Sequence, residues 1–307
     1  MTKRYTETAY RNQTTNTFET YRRKLTGLAY RITGSRFEAD DIVQDAYLKW
    51  QAEDIKKIKS PFSWLMTIVT RLALDQLRSA RVTRETYIGP WLPEPYIEEN
   101  ELPDQQRELD ESITMALMVL MEQLTPTERA SFILHDLFKF EFFEIGEILD
   151  KSDTACRKLA SRARNKVKIN NTNIAYNEEE HLDIINAFMN AIKQGDLNGL
   201  VKLLQDNVVF HSDGGGKAIA AGELIIGLNA VTDFMLGVIS ADFKRDPAST
   251  VTITENWFNG VPGLVVWENN NPVTAFNFEI TDKKINKIHA LRNPDKLKLF
   301  QNKTIPE

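Results

Sequence analysis

The clearest change of period in this chain lies between Phe143 and Lys168. Ile145, Ile148 and Leu149 repeat at helical spacing, and Asp150-Lys151-Ser152-Asp153 then breaks the pattern with turn-forming and N-capping residues. A second helix is predicted from Ser152 or Asp153, with Ala155, Leu159, Ala163 and Val167 as a narrow stripe that packs on the first helix. Upstream, Phe18 to Thr33 reads as a helix with Tyr21, Leu25, Leu28, Ala29 and Ile32 on one side, closed by Gly34. The next helix, Phe37 to Ala52, buries Ala39, Ile42, Val43, Ala46, Tyr47 and Trp50. A long third helix, Phe62 to Arg84, follows a basic loop at Lys56 to Pro61 and turns Trp64, Leu65, Ile68, Val69, Leu72, Ala73 and Leu77 inward.

From Thr86 to Leu109 the periodicity stops. This stretch holds Pro90, Pro93, Pro95 and Pro103, and six carboxylates (Glu94, Glu98, Glu99, Glu101, Asp104 and Glu108) against Arg107. Prolines keep it extended, and its net charge repels acidic neighbours. Within it, Trp91 and Leu92 sit among rigid prolines as an apolar hook that is costly to leave exposed, so a docking partner is expected. Beyond Glu178 the order becomes helices and then strands. Helices are predicted at Leu182 to Lys193, Leu197 to Leu204 and Asn229 to Ile239. Strands are predicted at Asn207 to His211, Val251 to Trp257, Leu264 to Trp267, Val273 to Ile280 and Lys284 to Arg292. Helices first and then a meander imply a curved antiparallel sheet wrapped around helices.

Charge sharpens the division. The chain has 307 residues and a formal net charge of −5, 42% hydrophobic and 26% charged, enough for two or three domains. Residues 1–177 are neutral overall, whereas Lys56 to Arg84 carries seven cations against Asp75 alone. On the helix after Asp153, Arg157, Lys158, Arg162, Arg164, Lys166 and Lys168 face one carboxylate. Such a helix is either a solvated basic face or one seated in the DNA major groove, where Arg and Lys meet phosphates and guanine edges. On the Phe37 to Ala52 helix, Asp41, Gln44, Asp45 and Leu48 form an acidic stripe with one apolar member, suited to a basic partner helix or to solvent. The single Cys156 excludes an intramolecular disulfide, and the N-terminus has no signal-peptide core; a cytoplasmic soluble protein is expected.

Here the residues resemble the extracytoplasmic-function (ECF) sigma factors of bacterial RNA polymerase. EADDIVQDAYLKW is similar to region 2.2, SPFSWLMTIVTRLALDQLRSAR to regions 2.3 to 2.4, and LTPTERASFILHDLFKFEFFEIGEILDKSDTACRKLASRARNKV to region 4. The resemblance implies core polymerase and promoter DNA as partners. It gives docking on the largest subunit's clamp helices to Asp41, Gln44, Asp45 and Leu48, and the minus-ten element to Lys56, Lys57, Lys59, Trp64, Arg71, Arg78 and Arg81. It gives the minus-thirty-five element to Ser152, Asp153, Thr154, Arg157, Lys158, Arg162 and Arg164, threads the connector through the polymerase's basic active-site and RNA-exit channel, and makes the largest and second-largest subunits of core polymerase the partners.

The last part resembles a SnoaL-like, nuclear-transport-factor-like cone. The motifs WLPEP (Trp91, Leu92, Pro93, Glu94, Pro95), DGGGK (Asp213, Gly214, Gly215, Gly216, Lys217) and NPDKL (Asn293, Pro294, Asp295, Lys296, Leu297) resemble signatures of the sigma subfamily that carries this extension. Lys217 stands where that subfamily's arginine is expected, replacing a bidentate fork with a point charge. The fold class implied is multidomain: two all-α domains, sigma region 2 at 14–85 and the region 4 helix-turn-helix at 110–172, joined by the acidic linker 86–109 and followed by an α+β regulatory cone at 178–307.

The two motif loops are expected to accept the Trp91 hook, with Lys217 or Lys296 near Glu94, while His211, Trp257, Phe276, Phe278 and His289 are the candidate pocket members. No metal or phosphate-loop motif occurs, no cofactor is called for, and a separate anti-sigma factor is not required. A small-molecule ligand of the cone remains open. The rival readings are a helix-turn-helix repressor or activator with a sensing domain, and a SnoaL-type enzyme with a DNA-binding appendage.

Overall fold

The computed structural model describes residues 2–84, 86–96, 114–168, 178–242 and 250–301. Of the acidic connector, 97–109 lies outside the described residues. The chain divides into two compact units, 1–85 with 117–170 and 86–116 with 171–307.

The first unit opens with α1 (Thr2–Thr33), α2 (Arg36–Ala52), a short 3-10 turn at Ile55–Lys57 and α3 (Pro61–Arg84). Helix α1 begins well before the expected Phe18. Its middle is tied into the core: Thr14 is buried, and its carbonyl accepts the indole N–H of Trp50 at 2.9 Å. Leu25, Leu28 and Ile32 of α1 meet Ala39, Ile42, Val43 and Ala46 of α2 and Leu65, Val69, Ala73 and Leu77 of α3 in one buried core. Ser35 caps α2 by accepting the Glu38 N–H.

The same unit contains α4 (Met115–Met121), α5 (Pro126–Phe132), a π-turn at Ile133–Leu137, α6 (Phe142–Leu149) and α7 (Asp153–Lys168). Thr125 and Glu128 form a reciprocal capping box at the start of α5. Between α6 and α7, Asp150 takes a left-handed conformation. A Cβ at Gly146 would lie 2.6 Å from the Lys151 carbonyl, so the tight turn needs glycine there. The buried stripe of α7 is Cys156, Ala160, Ala163 and Val167, with Ala155 and Leu159 only half-buried. The first half of the expected stripe is therefore displaced by one residue, Cys156 and Ala160 standing in for Ala155 and Leu159, while Ala163 and Val167 are buried as expected. Steps of four advance about 40° each around a 3.6-residue helix, whereas steps of four, three and four stay on one face.

The second unit contains α8 (Glu178–Gln194), α9 (Leu197–Leu203), β1 (Leu204–Asp213), β2 (Ile225–Ile226), α10 (Leu228–Asp242), β3 (Val251–Phe258), β4 (Val261–Glu268), β5 (Asn271–Thr281), β6 (Lys284–Leu291) and α11 (Pro294–Leu297). Its six-stranded sheet has the order β2-β1-β6-β5-β4-β3. It is mixed: β1 pairs parallel with β6, and the other neighbours are antiparallel. The all-antiparallel expectation fails because the last strand returns beside the first, a long-range pairing that local patterning does not report. The meander itself rests on two-residue turns with positive φ at Asn259-Gly260, Asn269-Asn270 and Asp282-Lys283, whose twist matches that of the flanking strands. Ile185, Phe188 and Ile192 of α8 and Val231 and Met235 of α10 pack on Phe210, Leu264, Phe278 and Ile288 of the sheet. After β6, the Asn293 side chain caps α11 by accepting the Asp295 N–H at 3.0 Å.

Candidate functional site

Three groups of candidate residues can be placed. On α2, Ala39, Ile42, Val43, Ala46 and Trp50 turn inward, and this leaves Asp41, Gln44, Asp45 and Leu48 on the solvent side. Leu48 is 55% exposed and Phe37, which the pattern did not single out, 70%. The face thus offers two apolar side chains among carboxylates, a form suited to a basic, partly apolar helix.

The basic positions of α3 divide by environment. Lys56, Lys57 and Lys59 are exposed on the 3-10 turn and the loop after it. Trp64 is half-buried, with its ring 5.6 Å from that of Trp50, so much of it serves the core. Arg78 pairs with Asp75 at 2.9 Å. Arg71 instead donates to the carbonyls of Glu147 and Ile148, at 2.9 and 3.0 Å, and Arg81 to the carbonyl of Leu124. The last carbonyls of α6 have no partner within the helix and sit at the negative end of its dipole, so a guanidinium there is favourable. Buried Arg129 of α5 does the same for α1, donating to the Arg31 carbonyl at 2.8 Å while pairing with Glu122. Within this unit the two helical regions therefore cap each other's helix ends.

Ser152 caps α7 by accepting the Ala155 N–H at 3.2 Å. Thr154, Lys158, Ser161, Arg162 and Asn165 recur at steps of four, three, one and three along one exposed face. Arg157 is also exposed and lies 4.7 Å over the Phe142 ring, within reach of Asp153 at 3.4 Å. Arg164 turns away from that face and pairs with Asp136 at 2.8 Å. Ser161 and Asn165 share this face though neither was among the expected residues.

The third group is built on the second unit. Tyr87 to Tyr96 lies along the sheet end formed by β1, β6 and α11, and its anchor is Asp213, which is 0% exposed. One carboxylate oxygen accepts the Tyr87 hydroxyl at 2.6 Å and the Gly215 N–H at 3.0 Å. The other accepts the Leu92 N–H at 2.9 Å and the Lys296 ammonium at 2.7 Å. Lys296, itself buried, also donates to the Leu92 carbonyl at 2.5 Å and lies 4.2 Å from the centroid of the Trp91 ring. Leu92, Pro93 and Pro95 are buried. Further on, Tyr96 and Asn259 exchange bonds, the Asn259 N–H donating to the Tyr96 carbonyl at 2.8 Å and the Tyr96 N–H to the Asn259 side chain at 3.0 Å.

The three glycines explain themselves here. Gly215 and Gly216 have φ of 61° and 68°. A Cβ on Gly215 would come within 2.3 Å of the Asn293 amide nitrogen, and one on Gly214 within 2.3 Å of the Ala218 carbonyl. Asn293 in turn donates to the Tyr87 hydroxyl at 2.9 Å. Lys217 pairs with Asp295 at the surface, so the two lysines expected near Glu94 are seen holding Asp295 and Asp213. Tyr87, Tyr96 and Asn259 complete the site. Their sequence signal was proximity to WLPEP and an Asn-Gly hairpin.

The pocket expectation needs correction. Phe276 lines a cavity on the helix-covered face of the sheet, and Phe278 packs edge-on against Phe188 in the core. His211 and His289 point to the opposite face, because their neighbours Phe210, Ser212 and Ala290 line the cavity and strand side chains alternate. Trp257 is half-buried and outside the cavity lining. On that opposite face His289 bonds Glu279 at 2.9 Å, and Lys287 bonds it at the same distance. Burial works against the Glu279 charge, yet these two partners hold its carboxyl below the usual range. Burial, with His289 beside it, pushes His211 down to about 4. Among the described residues no cluster of His, Cys, Asp or Glu could hold a metal ion, and no helix is long and apolar enough to cross a membrane.

Comparison with known proteins assigns the class. Residues 17–83 match the Sigma-70 region 2 family and residues 114–167 the Sigma-70 region 4 family. The chain is 37% identical over 288 residues to the ECF RNA polymerase sigma factor SigJ of Mycobacterium tuberculosis, covering 91% of each chain. It is 30% identical over 281 residues to the probable ECF RNA polymerase sigma factor SigI of the same species, covering 90% of this chain and 92% of the relative. The crystal structure of M. tuberculosis SigJ superposes with a TM-score of 0.73 at 33% identity, over 92% of this chain and 97% of that one. The chain belongs to the ECF sigma factors of RNA polymerase, proteins that direct transcription initiation, and carries their region 2 and region 4 with a C-terminal α+β extension.

Proposed function

We propose that this sigma factor is controlled in cis, by docking of its own connector on the C-terminal extension. The observation that carries the reading is the buried Asp213 carboxylate, which holds Tyr87 and Leu92 of the connector together with Lys296. Between the end of α3 at Arg84 and the start of α4 at Met115, thirty residues (85–114) connect region 2 to region 4. Of these, 86–96 are held on the extension. At roughly 3.3–3.6 Å per extended residue, thirty residues reach at most about 100 Å, and docking takes 86–96 out of that adjustable span. Region 2 and region 4 separate to read two promoter elements, so a docked connector opposes that opening.

In this reading Asp41, Gln44, Asp45 and Leu48 dock on the polymerase's largest subunit, joined by Phe37. Lys56, Lys57 and Lys59 reach the minus-ten element directly, whereas Arg71 and Arg81 become available once α6 and Leu124 release them. Thr154, Arg157, Lys158 and Arg162 read the minus-thirty-five element, with Ser152 and Asp153 setting the helix start. Arg164 acts as a brace to Asp136. The extension works by binding rather than catalysis, because His211 and His289 face away from the cavity, and the protein acts beside polymerase in the cytoplasm. Transcription in vitro with core polymerase tests this by comparing the full chain with chains ending at Lys168 and at Arg292. The reading expects the three outputs to differ; equal outputs overturn it.

A further inference from the structure

The helix-covered face of the sheet encloses a cavity of about 250 Å³. Phe188 of α8, Phe234 of α10, and Phe210 and Phe276 of the sheet form its walls. That volume falls just below the roughly 300–1,000 Å³ usual for small-molecule sites, and apolar walls with few polar groups are what such sites share. The core around it is otherwise closely packed: Phe188 and Phe278 lie edge to face at 5.2 Å, and Phe210 and Phe234 at 5.1 Å.

Three charged side chains line the cavity, and of these Arg292, just past the end of β6, is the half-buried one. At the rim stand exposed Lys193 and Glu268. The charged members of the lining are thus two cations and one carboxylate. A guanidinium binds a carboxylate bidentately and keeps its charge at any working pH. We propose that the cavity binds a small apolar molecule bearing a single carboxylate, with its body among the four phenylalanines and its head on Arg292.

The site is built into the same strands as the connector's acceptor. Ser212 of β1 and Arg292, just after β6, line the cavity; Asp213 and Asn293, the residues that follow them, hold the connector, and the Arg292 N–H donates to the Asp213 carbonyl at 2.7 Å. A ligand that reorients Arg292 acts one peptide unit from the acceptor. Binding itself stands apart from cis control and is measured without transcription.

The test is calorimetric titration of the full chain with decanoate and with 4-butylbenzoate, using decan-1-ol and decyl phosphate as head-group controls, all below their aggregation thresholds. One-to-one binding of at least one carboxylate is expected. Arg292→Gln should weaken it at least tenfold, a loss of about 1.4 kcal/mol, and leave decan-1-ol unchanged. Ala290→Leu, which projects into the cavity, should weaken carboxylate and alcohol alike. Thermal unfolding of each variant confirms that the extension is folded. Absence of binding by both carboxylates, equal binding of decyl phosphate, or carboxylate binding that survives either substitution would overturn the proposal.

Discussion

Removing the Asp213 carboxylate by Asp213→Ala should free the connector while leaving the sheet intact. The substitution deletes four accepted hydrogen bonds and leaves the Lys296 ammonium buried with the Leu92 carbonyl. Stripping one partner from a buried ion pair typically costs about 3–5 kcal/mol, because the remaining charge keeps its desolvation penalty. Even the lower figure corresponds to roughly a 150-fold fall in the docked population, at about 1.4 kcal/mol for each factor of ten. Hydrogen exchange reads this directly at the Leu92 amide, which donates to Asp213, and at the Tyr96 amide, which donates to Asn259. Both should lose protection in Asp213→Ala while β4 and β5 amides keep theirs. A second variant separates charge from structure: Asp213→Ala combined with Lys296→Met removes both charges and should recover part of the loss, since apolar replacement of a whole buried pair is often neutral. Unchanged protection at Leu92 in the single variant, or a double variant worse than the sum of its parts, would refute the reasoning.

Other consequences follow from single residues. Gly215→Ala forces a side chain into φ 61° and against Asn293, and should lower the stability of the extension by about 1–3 kcal/mol, read by thermal unfolding. Asp45→Arg reverses a charge on the exposed face of α2 and should abolish co-purification with core polymerase while the melting temperature stays put; retention of binding would remove that face from the docking surface. His211 is held neutral, at about 4, by burial and by neighbouring His289, Lys287 and Lys296, against the pull of Asp213. The unfolded chain takes up its proton near the ordinary 6.5, so this stability is full above that pH and declines as pH falls toward 4, by at most about 3 kcal/mol. His211→Phe should flatten that part of the stability–pH curve, and an unchanged slope would show that other groups set it.

Much of this architecture could be read from residues alone, where the signal is local. Asp-Gly-Gly-Gly, Asn-Pro-Asp and the proline-flanked Trp91-Leu92 announced a rigid hook and loops of unusual backbone, and the structure sets Leu92 against Asp213 and Lys296. Parity was harder. His211 stands between two cavity-lining neighbours, Phe210 and Ser212, and the two-residue period of a strand sends it to the other face. The same sensitivity displaced the α7 stripe from Ala155 to Cys156. Arg71, Arg81 and Arg164 counted as free cations in the sequence, yet each finds a carbonyl or carboxylate remote along the chain. Pairing of β1 with β6 joins segments more than seventy residues apart, beyond the reach of any periodicity.

The measurement closest to the central claim is promoter-dependent run-off transcription by core polymerase with the wild-type chain and with Asp213→Ala, at equal protein and matched salt. Release of the connector restores the full span between region 2 and region 4, so the account predicts more transcript from Asp213→Ala. Equal or reduced output from a folded variant whose Leu92 amide has lost its protection would contradict it.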